Sequence, residues 1–375
     1  MKIGVLKEVK PDEHRVALLP QGVRKLCSLG HAVIVQAGAG VSAGVSNEKY
    51  MAAGAEIADD REELADHAEM LLKIKEPLEE EFSLFKAHHI LFGYLHSETR
   101  PKLVDMFLEK RLTAIAYENV RLPDGSFPLL APMSIIAGQQ GVLQGMRFLC
   151  NHEGGIGVSL VSYPGIEPAQ VVVLGAGQAG LAAARVAAAI GADVTLFDIS
   201  SKRIFQIAET LPKNIRVLNS ASAELESHIT RADMVVHTTS IPPDSPYHLI
   251  DRPLLKKMRK GAVIVDVTAN LRGAIESVDR YTTHTDPVWE VDGVIHYAVS
   301  NIPGAVAATA SEALAIETLP YICEIANKGT LKALQENNAL LNGLTAINGM
   351  LTWHEAGTMQ QRTWSEPEQV LRTAA

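Results

Sequence analysis

Cysteine is scarce in this chain: Cys27, Cys150 and Cys323 are odd in number, widely separated and free of any CxxC spacing. That pattern excludes a disulfide framework and a structural zinc site, leaving the three as small buried apolar residues, with no metal site expected. Positive charge is also in short supply. Lys and Arg number 34 against 43 Asp and Glu, a formal charge of −9, whereas binding a nucleic acid calls for a basic face. The densest cationic group, Lys256, Lys257, Arg259 and Lys260, reads as the solvated last turn of a helix, where cations suit the dipole. Long apolar runs are missing as well. The longest is broken by Arg185 and several glycines, so no membrane span is expected, and the opening MKIGVLKEVK lacks the apolar core of a signal peptide. These absences point to a cytoplasmic protein with neither nucleic acid nor membrane as a partner.

What is present is a globular composition, 47% hydrophobic and 21% charged, in a chain of 375 residues, long enough for two domains. One stretch declares chemistry. Residues 170–198, QVVVLGAGQAGLAAARVAAAIGADVTLFD, read as strand, glycine turn, helix, strand and terminal acid. Gly175 permits a tight turn, Gly177 lets the backbone approach a pyrophosphate, and Gly180 lets the helix pack closely on the strand, with the helix N-terminus facing the phosphates. Asp198 lies roughly 20 residues beyond the glycines, where a carboxylate accepts the ribose hydroxyls of NAD and repels the 2′-phosphate of NADP. An ordinary buried βαβ unit would explain the glycines but not the acid. Arg203 follows shortly and could meet a 2′-phosphate, so NADP stays open beside NAD, the expected cofactor.

Before that stretch, residues 1–128 alternate strands (KIGVLKE, HAVIVQAG, MLLKIKE, HHILFGYL, LTAIAYEN) with helical connectors, the pattern of a largely parallel α/β sheet. Strand alternation would put Lys73 and Lys75 on one face, opposite Ile74, and Tyr94 and His96 together on another. Lys75, His96 and Glu118 fall near the carboxyl ends of strands, where open α/β sheets bind ligands, and Arg15 sits in the loop after the first strand. Each alone would more often be a surface charge or a structural histidine; their convergence is what marks them. Residues 129–150 form one long helix-compatible run, and beyond residue 198 further α/β units follow. From about Val306 the chain reads as helices ending in a loose polar tail. The expected fold is α/β, with two Rossmann-like domains, one discontinuous, joined by long helices. Residues 1–128 with 306–375 would form the substrate and catalytic domain, and 129–305 the NAD-binding domain.

The segments KIGVLKEVKPDEHRVALLP, GHAVIVQAGAG, LLKIKEP, ILFGYLH, AYENV, PLLAPMS, PGIEPAQVVVLGAGQAG and YAVSNIPGAV resemble the alanine dehydrogenase family in order and spacing over nearly the whole chain. That family is related to the NAD-binding subunit of nicotinamide nucleotide transhydrogenase. The resemblance implies that Arg15 and Lys75 grip a small carboxylate-bearing substrate, that His96 handles the proton, and that Tyr94, Met133 and Asn301 line the substrate pocket. For the cofactor it implies Ser134, Gly175, Gly177, Gly180, Asp198 and Ser220. It further implies reversible hydride transfer between an L-amino acid and its 2-oxo acid plus ammonia, in a homo-oligomer that is usually hexameric. A histidine with an ordinary pKa of about 6.5 suits that proton transfer.

The departures from the family pattern fall in particular places. Asn270 stands where the family carries a catalytic Asp, and Leu271, Arg272 and Gly273 replace the usual Gln-Gly-Gly. An amide at 270 can hydrogen-bond but cannot accept a proton. Losing a transition-state partner of this kind costs about 2.7 to 4 kcal/mol if it acts like a lost oxyanion donor. Ile135 and Gln139 replace a carboxylate and a guanidinium, Ala307 and Ala308 a Pro and a basic residue, and Val161, Ser162 and Tyr163 a small Gly-Gly-Val. Beside alanine oxidation, these departures leave two alternatives: an altered substrate, including reductive condensation of an amine with a 2-oxo acid, and a non-catalytic NAD-binding module.

Overall fold

The computed structural model describes residues 1–242 and 244–374. The chain divides into two compact units, residues 1–132 with 306–375 and residues 133–305. Strands β1 (Lys2–Val5), β2 (Ala32–Gln36), β3 (Glu56–Ala58), β4 (Met70–Leu72), β5 (Ile90–Gly93) and β6 (Thr113–Ala116) belong to the first unit. Strands β7 (Gln170–Leu174), β8 (Asp193–Asp198), β9 (Ile215–Asn219), β10 (Met234–His237), β11 (Val263–Asp266), β12 (Val288–Val291) and β13 (Val294–Tyr297) build the second. Two more, β14 (Leu344–Ile347) and β15 (Met350–Leu351), return to the first.

In the first unit the strand order is β15-β14-β6-β5-β4-β1-β2-β3. Strands β1 to β6 pair in parallel, while β14 runs antiparallel to both β6 and β15. From β1 the chain winds outward through β2 and β3, then jumps back to β4 and winds the other way, so the topological switch point lies between β1 and β4. Such a crevice at strand carboxyl ends is where open α/β sheets take ligands. Its central strands are buried on both faces and read as continuous apolar runs, such as Met70-Leu71-Leu72, each with no exposed surface.

The second unit has the order β12-β13-β11-β10-β7-β8-β9, parallel except for β12. Its switch point lies between β7 and β10, where Leu174 pairs with His237. Two apolar clusters cover the faces of this sheet, one containing Val171, Val173 and Ala184, the other Val172, Leu174 and Phe197. Alternate residues of β7 thus point to opposite faces. The helix Gln178–Ala189 is alanine-rich because it must lie close to the sheet.

The structure corrects several sequence expectations. The segment after Val306 is not helical throughout: it contributes β14 and β15, and its tail forms the helix Pro367–Ala374 with Val370 and Leu371 buried. Short strands with few β-branched residues escape a reading by periodicity. All three cysteines are half-buried rather than buried. In the cationic cluster the helix Arg252–Lys257 ends before Arg259; Arg259 pairs with the buried Asp233, and Lys260 donates to the Asp292 carbonyl. No helix among the described residues is long and apolar enough to cross a membrane.

Candidate active site and dinucleotide cavity

In the second unit, β7 delivers the chain to Gly175, whose φ of +98° is open to glycine and strained for other residues. A Cβ on Gly180 would lie 1.8 Å from the Gly175 carbonyl oxygen, so only glycine lets the helix approach the turn this closely. A Cβ on Gly177 would meet nothing within 4 Å. The backbone there borders open space at the start of the helix Gln178–Ala189, the place where an anion is favoured. Asp198, at the end of β8, is held by two backbone donors. Its Oδ2 accepts from Ala176 N and its Oδ1 from Ser200 N, each at 2.8 Å, and its carbonyl accepts from Ser220 N at 3.0 Å. Gly175, Gly177, Asp198, Ile199, Ser220 and Thr239 are among the residues lining a cavity of about 350 Å³. A positive-φ turn, a close helix approach, an open helix N-terminus and a fixed acid at the rim fit a dinucleotide.

Arg203 Nε donates to the Ala176 carbonyl at 2.9 Å, which ties its helix to the glycine turn. Met133 and Asn301 are buried in this unit, and Ser134 lies in the first turn of the helix Ala131–Phe148. None of these three lines the cavity beside Asp198. Asn270 donates from Nδ2 to the Ile241 carbonyl at 2.8 Å, joining the loops that follow β10 and β11.

Sequence reasoning missed a polar network at the end of β10. His237 is buried, with Nδ1 2.8 Å from Asp266 Oδ1 and Nε2 2.6 Å from Thr239 Oγ1. The same Asp266 oxygen accepts from the Thr268 and Ala269 amides, so it is an acceptor and His237 Nδ1 carries the proton. Thr238 Oγ1 lies 2.9 and 3.1 Å from the Leu174 and Gly175 carbonyl oxygens. The signal was there: a buried strand ending in His-Thr-Thr-Ser at a carboxyl edge.

In the first unit, Arg15 follows β1, Lys75 follows β4, His96 follows β5 and Glu118 follows β6, so all four stand at the carboxyl ends around the switch point. Lys73 and Lys75 part company, contrary to the strand alternation expected. β4 ends at Leu72; Lys73 turns into the core, 2.7 Å from Glu81 and 3.5 Å from Glu8, while Lys75 Nζ stands 3.5 Å from His96 Nε2. Burial and then the nearby Arg15 charge bring Lys75 down to about 8.

His96 adopts φ 43° and ψ 43°, the left-handed region. Its backbone N donates to Glu118 Oε1 at 2.6 Å, and Leu95 N donates to the same oxygen at 3.0 Å. The ring keeps about a third of its side-chain surface accessible, 32%, yet sits deep enough that burial, with the Lys75 charge next, pushes it down to about 3. The ordinary value expected from sequence is therefore corrected: the imidazole is neutral near pH 7. Burial outweighs the amide donors at Glu118 and pushes that carboxyl up to about 7. Tyr94 is buried, its ring parallel to His96 at 6.2 Å between centroids, and its hydroxyl donates to the Leu129 carbonyl at 2.5 Å.

Arg15 is buried, and the Nε–Nη2 edge of its guanidinium holds Glu13 in a fork of 2.8 and 2.6 Å. Glu76 ties Lys10, at 2.7 Å, to Arg100, at 2.9 Å. Against the burial that would raise it, Arg100 and Lys10 hold this carboxyl down to about 2. Glu13, Glu76 and Arg100 were not singled out in sequence: the charged run KEVKPDEHR offered no means of ranking Glu13, and Glu76 and Arg100 find their partners only across the fold.

Taken singly, the second unit has the architecture of a Rossmann-type dinucleotide-binding domain, and the first a related α/β sheet with a cationic, imidazole-bearing switch point. The chain belongs to the alanine dehydrogenase/PNT family: the N-terminal domain profile of that family matches residues 4–137 and its C-terminal domain profile residues 141–354. It is 44% identical over 371 residues to an alanine dehydrogenase of Methanococcus maripaludis, covering 99% of this chain and all of that protein. It is 43% identical over 353 residues to the alanine dehydrogenase of Bacillus subtilis, covering 94% and 93%. A solved L-alanine dehydrogenase superposes with a TM-score of 0.91 at 41% identity, covering 96% of this chain and 99% of that one. A transhydrogenase from Sinorhizobium meliloti shares the fold, at 24% identity and a TM-score of 0.76.

Proposed function

We propose that this chain is an NAD-dependent L-alanine dehydrogenase, interconverting alanine and water with pyruvate and ammonium. The observation that carries the reading is the convergence of Arg15, Lys75 and His96 at one switch point, in a chain whose other unit holds the dinucleotide cavity. Residues 1–128 with 306–375 bind and turn over the substrate, and residues 129–305 hold the cofactor. A cytoplasmic homo-oligomer, hexameric as the resemblance implies, belongs to the same reading.

Gly175, Gly177, Asp198 and Ser220 would hold the NAD, which supplies the hydride acceptor. Lys75 meets the substrate carboxylate as a point charge. Arg15, whose Nε–Nη2 edge is fixed by Glu13, adds a second cationic contact for that carboxylate. His96, neutral near pH 7, acts as the base: it takes a proton from the water that adds to the imine carbon and returns one in the reverse direction. A bound carboxylate offsets the Lys75 charge and so raises His96 from its low resting value toward the working range.

The test is NADH oxidation with pyruvate plus ammonia, followed by pyruvate with a panel of primary amines and by NADPH in place of NADH. Turnover with ammonia and NADH, lost in His96→Ala, is the expected result. Turnover only with the larger amines would instead support the altered-substrate reading, which rests on Asn270. Tight NADH binding without any turnover would support the non-catalytic module.

A further inference from the structure

His96 stands in backbone geometry that L-residues avoid, and such geometry persists only where the surroundings over-determine it. On its N-terminal side the fixing group is Glu118, through the Leu95 and His96 amides. On its C-terminal side the His96 carbonyl accepts from Arg100 Nη1 at 3.0 Å, and the next two carbonyls are held from far along the chain. Gln360 Nε2 donates to the Ser97 carbonyl at 2.6 Å and to the Glu98 carbonyl at 3.2 Å.

The Gln360 amide is itself oriented. Its Oε1 accepts from Arg362 Nε at 2.8 Å, and Arg362 pairs with Asp105 at 2.5 Å and donates to the Pro101 carbonyl at 3.2 Å. With an arginine donor on one side and two carbonyl acceptors on the other, only one amide orientation satisfies every partner. The segment carrying Gln360 is anchored in turn: β15 pairs with β14, Ser365 N donates to the Leu351 carbonyl, and Trp364 packs so tightly on Gly357 that a Cβ there would lie 2.3 Å from its ring.

We propose that Gln360 is a positioning residue for His96: the C-terminal segment of the chain clamps the Ser97 and Glu98 carbonyls and so holds the imidazole at its place beside Lys75. This rests on the reading of His96 as the proton-handling group. A displacement of about 1 Å at a reacting group is enough to cost roughly a hundredfold in rate, and nothing else named above holds those two carbonyls from outside the loop.

The test uses the full-length chain with Gln360→Glu, which keeps an acceptor for Arg362 but turns carboxylate oxygens toward the two carbonyls. Gln360→Met removes the donor without adding charge and serves if the first variant fails to fold. The expected result is a kcat for alanine lower by roughly ten- to a hundredfold per NADH-binding site, with KM for NAD and NADH affinity unchanged. Faster amide hydrogen exchange should appear at residues 96–100 and not in the second unit. A role confined to stability would lower the melting temperature and leave kcat per binding site intact, which overturns the proposal, as does unchanged exchange at residues 96–100. His96→Gln in the same assay separates the two ideas. If it is as active as the parent, the catalytic reading fails; if it is inactive while Gln360→Glu and Gln360→Met match the parent, the clamp alone fails.

Discussion

Lys75 Nζ lies 3.5 Å from His96 Nε2, and the lysine charge helps to keep that imidazole neutral. Burial and cationic neighbours bring Lys75 down to about 8 and His96 down to about 3, so near neutral pH the pair carries one proton charge, on the lysine. Carboxylate binding needs that charge. As pH rises through about 8 the free protein loses it, and kcat/KM for pyruvate, which reports free-enzyme ionisations, should fall by up to about tenfold per pH unit. Lys75→Arg keeps the charge at every accessible pH and should abolish this alkaline limb while binding pyruvate. A limb that persists unshifted in Lys75→Arg would assign it to another group.

Removing the imidazole should separate chemistry from cofactor binding. His96→Gln is expected to lower kcat by roughly 10²- to 10⁴-fold, the usual worth of a positioned general base. NADH affinity, which the proposed reading assigns to residues 129–305, should stay at the parent value in a fluorescence titration. Parallel losses in both would mean that the substitution disturbs more than proton transfer.

The two neighbouring glycines should fail differently. Gly180→Ala places a methyl 1.8 Å from the Gly175 carbonyl, a backbone clash that must displace the helix, so lowered melting temperature and lost NADH binding should come together. Gly177→Ala meets nothing within 4 Å and should fold normally, while its methyl intrudes on the approach a pyrophosphate requires. Calorimetry with and without NADH distinguishes the two; normal NADH binding by Gly177→Ala would place the phosphates elsewhere.

Asp198→Ala removes a charged acceptor for ribose hydroxyls, a loss of roughly 10- to 100-fold in NAD affinity. It also frees the Ala176 and Ser200 amides, so part of the loss comes from a loosened turn. NADP lacks the 2′-hydroxyl and gains from losing a repulsive carboxylate, and its affinity should fall less than that of NAD. Equal losses for both, measured by titration, would mean that the carboxylate serves the turn alone.

These residues differ in how far sequence could reveal them. Gly175, Gly180 and Asp198 were legible because their roles are local: spacing along strand, turn and helix sets their geometry. Lys75 and His96 were legible as strand-end positions, and their convergence follows from the β1/β4 switch point. Their proton affinities were not, since burial and the charges of Arg15 on Lys75 and of Lys75 on His96 exist only after folding. Glu13 was hidden in a charged run until its fork with Arg15 appeared. Gln360 was beyond any local pattern, because its partners Ser97 and Glu98 lie 263 and 262 residues away. Strands β14 and β15 escaped for a similar reason: four and two residues long, they are strands because β6 offers an edge to β14 and β14 one to β15.

Asn270 supplies the sharpest question about the substrate. Its Nδ2 donates to the Ile241 carbonyl at 2.8 Å, so the amide already has a structural use, and Ala269 before it stands at φ 48°. A carboxylate at 270 would lose that donor and face a carbonyl oxygen, yet it would regain the ability to take up a proton and to stabilise a cationic imine. If position 270 limits turnover with ammonia, the chemical gain outweighs the lost hydrogen bond, and Asn270→Asp raises kcat for alanine with KM for NAD unchanged. The accompanying loss of stability should be about 1 kcal/mol, the worth of one part-buried hydrogen bond, visible as a lower melting temperature. Unchanged or reduced kcat in a folded Asn270→Asp protein would mean that alanine turnover does not depend on a carboxylate here, and the amide would then stand as a loop tie between the ends of β10 and β11.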